Sequence, residues 1–401
     1  MTGAPSQRLA VVLSHPNQYY SPWFRWLRAH TALEFRVFYL WDFGVTAARD
    51  PGFQAEIKWD VDLLSGYDSE FVPNTAKDPG MHHFLGLRNP DLPGRLAAWR
   101  PTAMLVFGYY SAGLLRAIFW ARRRGIPLVF RGDSHFIGRP APAWHRRLLL
   151  RLVYRMFSAV TYVGEANRAY FATLGVPDRK LHFAPHAVDP GLFDPRDSRH
   201  AAAAAALRAT LGIGPDIRVV LFAGKLVPAK QPRELLEAFL NLALPGTALV
   251  FVGEGPEKQA LLEAAQRADR SSPGTVYFMP FANQSEMPSR YLLADLFVLP
   301  SRGLYETWGL AVNEAMQMGV PCLVSDRVGC QRDLVIPGET GWVFRSTDAA
   351  DLRRELSAAL ARLANAASRE ALKAAVAARI AGYSYARAAA GLLEALGGLP
   401  S

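Results

Sequence analysis

Residues 299–321 read LPSRGLYETWGLAVNEAMQMGVP, and the order of breakers in that stretch decides the fold. An apolar run stops at Pro300, a polar loop follows, and a helix begins near Gly309 and runs to about residue 318. Strand, loop and helix in that order make half of a parallel strand–helix–strand unit. Glu306 falls in the loop and Glu314 in the helix, eight positions apart. The amides of Gly309, Leu310 and Ala311 open the helix without intrahelical acceptors, an arrangement suited to a phosphate. Glu314 projects from the same helix and can accept hydrogen bonds from vicinal hydroxyls. On spacing alone, an ordinary amphipathic helix with two exposed glutamates fits equally well.

The same rhythm extends in both directions. Strands are expected at 219–223, 248–252, 276–279, 296–300 and 322–325, with helices at 232–242, 256–267 and 286–294 between them. An earlier series places strands at 9–14, 35–40, 104–107, 127–130 and 160–163, and helices at 22–29, 114–124, 144–157 and 166–174. Continuous apolar strands alternating with helices imply parallel sheets covered on both faces. Residues 43–93 interrupt the first series with Pro, Gly, Asn and Asp, and read as a loop-rich insertion. The expected architecture is α/β: two doubly wound, Rossmann-like domains facing across a cleft, with ligands at the carboxyl ends of the strands. Residues 1–195 form the first domain, 196–217 a linker and 218–380 the second domain. Residues 381–401 form a closing helix that packs back on the first.

Composition agrees with two domains. The chain has 401 residues, half of them hydrophobic, and single cores stop growing at about 250–300 residues. Such a composition excludes a disordered chain, and no apolar run approaches the roughly 18 residues of a membrane-spanning helix. Cys322 and Cys330 are the only cysteines, without metal or redox spacing, which excludes a disulfide scaffold and points to a reducing, cytoplasmic compartment. The net charge of +10 is uneven: residues 1–195 carry about +8 of it. Between Arg95 and Arg155 there are twelve arginines, no lysine and one acid, Asp133. Such asymmetry suggests an anionic partner, either nucleic acid or a membrane face.

Three further segments bear on the chemistry. Ala223-Gly-Lys-Leu-Val-Pro-Ala-Lys230 puts Lys225 and Lys230 in the loop after the first strand of the second domain, where paired cations can neutralise a diphosphate. Val252-Gly-Glu-Gly-Pro256 is a glycine turn after a strand but lacks the third glycine of a dinucleotide fingerprint. Phe278-Met-Pro-Phe-Ala-Asn-Gln-Ser-Glu-Met-Pro288 supplies a loop and a helix cap after the next strand.

In this order the segments resemble the carboxyl-terminal domain of the retaining GT-B glycosyltransferases, family 4 group, over roughly residues 158–345. The resemblance includes the E-x7-E pair Glu306 and Glu314, the Glu-Ala-Met and Gly-Val-Pro that follow, and Leu-Phe-Val-Leu-Pro-Ser at 296–301. It also includes Gly329, Pro337-Gly-Glu-Thr-Gly341, and Pro185-His-Ala-Val-Asp189 in place of the usual Pro-Asn-Gly-Val-Asp. The resemblance implies that Lys230 contacts the donor diphosphate, with Lys225 at a position usually held by arginine. It implies that Glu306 contacts the donor sugar, Glu314 the ribose hydroxyls, and the loop at Ala282 and Asn283 the nucleobase. In the first domain His15-Pro-Asn-Gln-Tyr-Tyr20 replaces the family's Gly-Gly loop, making Gln18 and Tyr19 acceptor-side candidates, or simply loop packing. Register from Pro127 puts Asp133 where the family often has a catalytic histidine, with His135 close by and Arg131 either on the acceptor side or paired with Asp133.

Trp59-Asp-Val-Asp62 contains a literal D-x-D, but nothing in the second half fits the single-domain fold that uses one to hold metal. His82 and His83 are read as an exposed loop pair without partners, so no metal and no bound cofactor is expected. Arg147, Arg151 and Arg155 recur every fourth residue on a leucine-rich helix, either a solvated basic stripe or a contact with an anionic bilayer. The expected function is retaining transfer of a sugar from a nucleoside-diphosphate-sugar to a hydroxyl of a lipid-linked or polysaccharide glycan, by a cytoplasmic protein peripheral on the inner membrane face. The alternatives are a nucleotide-sugar 2-epimerase of the same fold and a non-catalytic polyanion-binding module; nucleic acid is not expected as a partner. A nicotinamide dehydrogenase is disfavoured, because no G-x-G-x-x-G follows the first strand of either domain.

Overall fold

The structure is a computed structural model that describes residues 7–46, 48–50, 55–140, 142–268, 274–304 and 306–399, with backbone only at 48–50 and 55–57. The outermost residues of the expected first and last spans lie outside this set. Seven parallel strands form the first sheet, in the order Ser69–Phe71, Glu34–Tyr39, Arg8–Leu13, Ala103–Phe107, Leu128–Arg131, Ala159–Tyr162 and Leu181–Phe183. Alternation along its strands divides the apolar side chains between two cores. Ala10, Val12, Phe38, Met104, Val106 and Phe130 face one layer, while Leu9, Val11, Val37, Leu105 and Val129 face the other. All are buried, as continuous apolar strands require.

The second sheet has six parallel strands, ordered Thr275–Met279, Thr247–Val252, Arg218–Ala223, Leu296–Leu299, Cys322–Ser325 and Gly341–Phe344. Its central strand Arg218–Ala223 pairs with Thr247–Val252 on one side and Leu296–Leu299 on the other. In both domains the chain winds outward from its first strand and then reverses. The reversal opens a crevice beyond the carboxyl ends of the two central strands, and the two crevices face each other.

Three features of the layout matter. The insertion 43–93 is only partly loop: it carries the edge strand Ser69–Phe71, the 3-10 turn Phe84–Gly86 and a hairpin pairing Ala48–Asp50 with Ala55–Ile57, and the helix Leu92–Trp99 starts at its end. Residues 196–217 are docked rather than free. Their helix Ser198–Thr210 packs beside Met287–Leu292, and Arg208 reaches the carbonyls of Leu293, Gly214 and Ile217 at 2.8–2.9 Å. The closing helix Tyr385–Gly397 crosses back to the first domain and lays Tyr385, Ala388, Ala389, Leu392 and Leu396 on the layer containing Leu9 and Val11. Gly391 permits this close approach, because a methyl there would overlap the carbonyl oxygen of Phe183.

Candidate functional site

The loops at the second domain's reversal point converge on the interdomain cleft, about 1040 Å³ of space open to solvent. Lys230 closes a short 3-10 turn, Pro228–Lys230, after the first strand, and its Nζ donates to Glu306 Oε2 at 2.8 Å. Ser301, at the end of Leu296–Leu299, donates its hydroxyl to the same oxygen at 2.7 Å. Burial pushes the Glu306 carboxyl up, but the charge of Lys230 and the bonds from Lys230 and Ser301 outweigh it and hold the group below its ordinary value. Glu306 is therefore an ionised, oriented acceptor at the cleft wall.

Gly309 precedes the helix Leu310–Gln317 in the left-handed region, φ 96°, where glycine is at home. A methyl there would also come within 2.8 Å of Val328. Gly309, Leu310 and Ala311 all line the cleft, so the positive end of the helix faces the same space as Lys225 and Lys230. Glu314 lies one turn in and is 4 % exposed. Its Oε1 accepts from Tyr19 at 3.1 Å and Gln284 at 3.0 Å, and its Oε2 from Tyr291 at 2.7 Å. Burial holds its carboxyl above the usual range, and the three donors oppose that shift without cancelling it.

From the first domain, Gln18, Tyr19 and Asp133 reach the cleft. Asp133 Oδ2 accepts from Thr307 at 2.8 Å and lies 3.6 Å from His186 Nε2. Desolvation raises the Asp133 carboxyl, but His186 and the Thr307 hydroxyl bring it below its ordinary value. His186 occupies the place of the family's asparagine in the crossover segment and is buried under Asp133, between Tyr20 and Trp308. Its departure from the family pattern was visible in the sequence; its pairing with Asp133, which is 53 positions away, was not.

Arg131 is corrected. It is 3 % exposed, donates to the carbonyls of Ala184 at 2.8 Å and Pro185 at 3.3 Å, and lies over the rings of Tyr20 and Trp23. It braces the crossover, does not line the cleft and makes no ion pair with Asp133. His135 is corrected as well: Nδ1 accepts from the Ile137 amide, and Nε2 lies 3.4 Å from the Glu306 carbonyl oxygen. It supports the Glu306 loop from behind and does not line the cleft. Ala282 does line it, but Asn283 is spent elsewhere.

Asn283 Nδ2 donates to the Lys58 carbonyl at 2.8 Å, and the Asp60 carboxylate accepts from the Ser285 hydroxyl and, at 3.2 Å, its amide. These bonds form a strap across the cleft mouth and bring Trp59 to its wall. The D-x-D acids thus have separate tasks. Asp62 caps its own turn through the Leu64 and Ser65 amides and pairs with Arg25 at 3.5 Å. His82 and His83 are not partnerless either: their Nε2 atoms lie 2.8 Å and 3.3 Å from Asp78 Oδ2, in an exposed cluster that does not line the cleft.

His15 packs edge-on against Trp41 and Phe43, with Nδ1 3.0 Å from Ser14 Oγ. Burial lowers its pKa from 6.5 to about 4, so the folded protein favours the neutral ring. Stability from this residue is complete above pH 6.5 and is lost as pH falls through about 4. His15→Phe should therefore flatten the fall in Tm between pH 6.5 and 4 relative to the unsubstituted protein, read by thermal melts across that range. Parallel curves would show that the ring does not titrate on unfolding.

Two Rossmann-like sheets with facing crevices, and a helix terminus beside paired cations in the cleft between them, define a GT-B architecture. Residues 204–376 match the family described as glycosyl transferases group 1, and residues 16–187 the glycosyl transferase 4-like domain. The chain is 30 % identical over 380 residues to D-inositol 3-phosphate glycosyltransferase of Mycobacteroides abscessus, covering 84 % of this chain and 77 % of that protein. It belongs to the family 4-like GT-B glycosyltransferases. It is also 34 % identical over 209 residues to the GDP-mannose-dependent alpha-(1-6)-phosphatidylinositol monomannoside mannosyltransferase of Mycolicibacterium smegmatis, a match spanning 50 % of this chain and 53 % of that one. Among solved structures, Anabaena HepE in complex with UDP and glucose superposes with a TM-score of 0.70 at 16 % identity, covering 98 % of this chain and 100 % of that one. No helix among the described residues is long and apolar enough to cross a membrane.

Proposed function

We propose that this chain transfers a sugar, with retention of anomeric configuration, from a nucleoside-diphosphate-sugar to a hydroxyl of a lipid-linked or polysaccharide glycan. The observation that carries this reading is the convergence of Lys230, Ser301 and Glu306 opposite the helix amides of 309–311 in one cleft. A diphosphate seated on Lys225, Lys230 and those amides has its developing charge matched by groups already in place, the large electrostatic term of such transfers. These cations take the neutralising role that a divalent metal serves elsewhere. Glu306 would hold sugar hydroxyls and Glu314 the ribose diol, with Trp59 and Ala282 flanking the base.

Retention follows from front-face attack. The bond from the anomeric carbon to the diphosphate oxygen breaks, the acceptor oxygen bonds to that carbon from the same side, and the acceptor proton passes to the departing diphosphate oxygen. Asp133 lies across the cleft, where it can orient the acceptor hydroxyl. Glu314 has both oxygens engaged, and Tyr19 is its one partner from the other domain. Domain opening would free the acceptor site on Oε1 that Tyr19 occupies, leaving it for the ribose, and closure would align the substrates and exclude water.

The names of two relatives specify an inositol phosphate and a phosphatidylinositol mannoside, and an anionic acceptor of that kind suits a first domain carrying about +8. The exposed basic helix Trp144–Arg155 supports work at an anionic membrane face. Thermal shifts with UDP-, GDP- and ADP-sugars should pick out one nucleotide class by a raised Tm. The anomeric proton coupling of the product should then match that of the donor. An inverted product would overturn retention, loss of donor without glycosylated acceptor would favour the epimerase, and no shift with any donor would overturn the reading.

A further inference from the structure

The helix Trp144–Arg155 is anchored by few of its side chains, chiefly Leu150 and Tyr154. Trp144, Leu148, Leu149 and Leu152 are 78 %, 51 %, 61 % and 50 % exposed, a third of the large exposed apolar side chains among the described residues. At about 100° per residue, Arg147, Arg151 and Arg155 fall on one strip and Leu148 and Leu152 on the next. Beside the arginine strip is a cavity of about 460 Å³, lined by Arg151, Arg155, Tyr154, the turn at Leu174–Pro177, and Lys180. Gly175, at φ 78°, turns the chain past Arg151; a methyl there would lie 3.5 Å from the guanidinium Nε.

This cavity holds cations without acids. Among the described residues no carboxylate is within ion-pair distance of Arg151, Arg155 or Lys180, and the neighbouring Asp178 is paired with Arg168 at 3.3 Å. Lys180 Nζ donates to the Phe157 carbonyl at 2.8 Å, which fixes it at the end of the helix. Burial lowers its amine from the ordinary value, and the charges of Arg179 and Arg122 lower it further. Converging cations of this kind repel one another until an anion joins them, and a phosphate offers guanidinium groups bidentate bonds.

We propose that Arg151, Arg155 and Lys180 form a headgroup pocket for the phosphate of an anionic phospholipid, while Trp144, Leu148, Leu149 and Leu152 enter the acyl boundary. The apolar strip beside the pocket selects a lipid over free phosphate, because burying those side chains needs an apolar phase. The inference rests on the membrane-face reading and assigns it a defined phosphate site outside the cleft.

The test is flotation of the full chain, without sugar donor, with vesicles of phosphatidylcholine alone or mixed with phosphatidic acid. Binding is expected only to the mixed vesicles. Lys180→Ala and Arg155→Ala should each weaken it more than tenfold, whereas Arg146→Ala, which removes an exposed charge outside the pocket, should weaken it about fivefold. Leu148→Ser with Leu149→Ser should abolish it. Equal losses for all three cation variants would overturn the pocket and leave the membrane reading standing. Absence of vesicle binding together with absence of stabilisation by inorganic phosphate would overturn both. Stabilisation of the protein by inorganic phosphate through these residues, without vesicle binding, would overturn the lipid as the source. The thermal shift given by the sugar nucleotide should be the same in every variant, which keeps this outcome separate from the donor reading.

Discussion

Lys230→Ala is expected to lower kcat/KM for sugar transfer by about 10²–10³, the usual loss when one preorganised charge-stabilising donor is removed. The side chain does two things at once. It presents a cation to the cleft, and it holds the ionised Glu306 carboxylate at 2.8 Å. Without it, burial would raise the Glu306 carboxyl unopposed by its main compensating charge. The variant should therefore also need a higher pH than the unsubstituted enzyme to ionise Glu306, so the acid limb of its pH–rate profile should move upward. Lys230→Arg keeps the charge and should recover part of the rate. Steady-state kinetics across pH would check each statement, and unchanged turnover in Lys230→Ala would remove this lysine from the site.

Gly329→Ala should be nearly as damaging although residue 329 does not line the cleft. Its amide donates to the Glu306 carbonyl at 3.3 Å, and an added methyl would overlap the Thr307 carbonyl and come within 3.0 Å of Trp308 Cα. These are backbone atoms and cannot swing aside as a flexible side chain would. The 306–308 segment must move, taking with it the Lys230–Glu306 and Thr307–Asp133 bonds. Overpacking of this kind costs about 1–3 kcal/mol, and a shift near 1 Å at a reacting site can cost about 10²-fold in rate. A lowered Tm with a much larger proportional loss of kcat is the expected pattern. A variant with normal Tm and normal kcat would show that the loop is not held from behind.

Gly329 also illustrates why much of this molecule is legible in its amino-acid sequence. Strong local rules produce local structure: continuous apolar strands, the stop at Pro300, the glycine before Leu310, and lysines spaced around a tight turn. The donor side of the cleft is made of such pieces, each contained within a dozen residues. The acceptor side is not. The strap depends on Asp60 meeting Ser285, 225 positions away, and Asp133 acquires its environment from His186 and Thr307. Arg131 misleads for a related reason: arginine is normally a surface residue, but here ring faces and carbonyls on separate segments hold it indoors. The edge strands Ser69–Phe71 and Leu181–Phe183 are three residues long and only partly buried, too short for a periodic signal.

The return of the helix Tyr385–Gly397 sets a timetable for synthesis. The layer of the first domain around Leu9 and Val11 waits for side chains that come almost 400 positions later in the chain. Roughly 190 residues separate the end of the first domain from that helix, and at about 5–20 residues per second the gap is on the order of 10–40 s. During that interval the ribosome carries a nearly finished sheet with part of one face bare. The domain translated first is thus the last to be completed. A nascent chain stalled before residue 385 should expose an apolar face to chaperones that a chain containing the helix Tyr385–Gly397 does not.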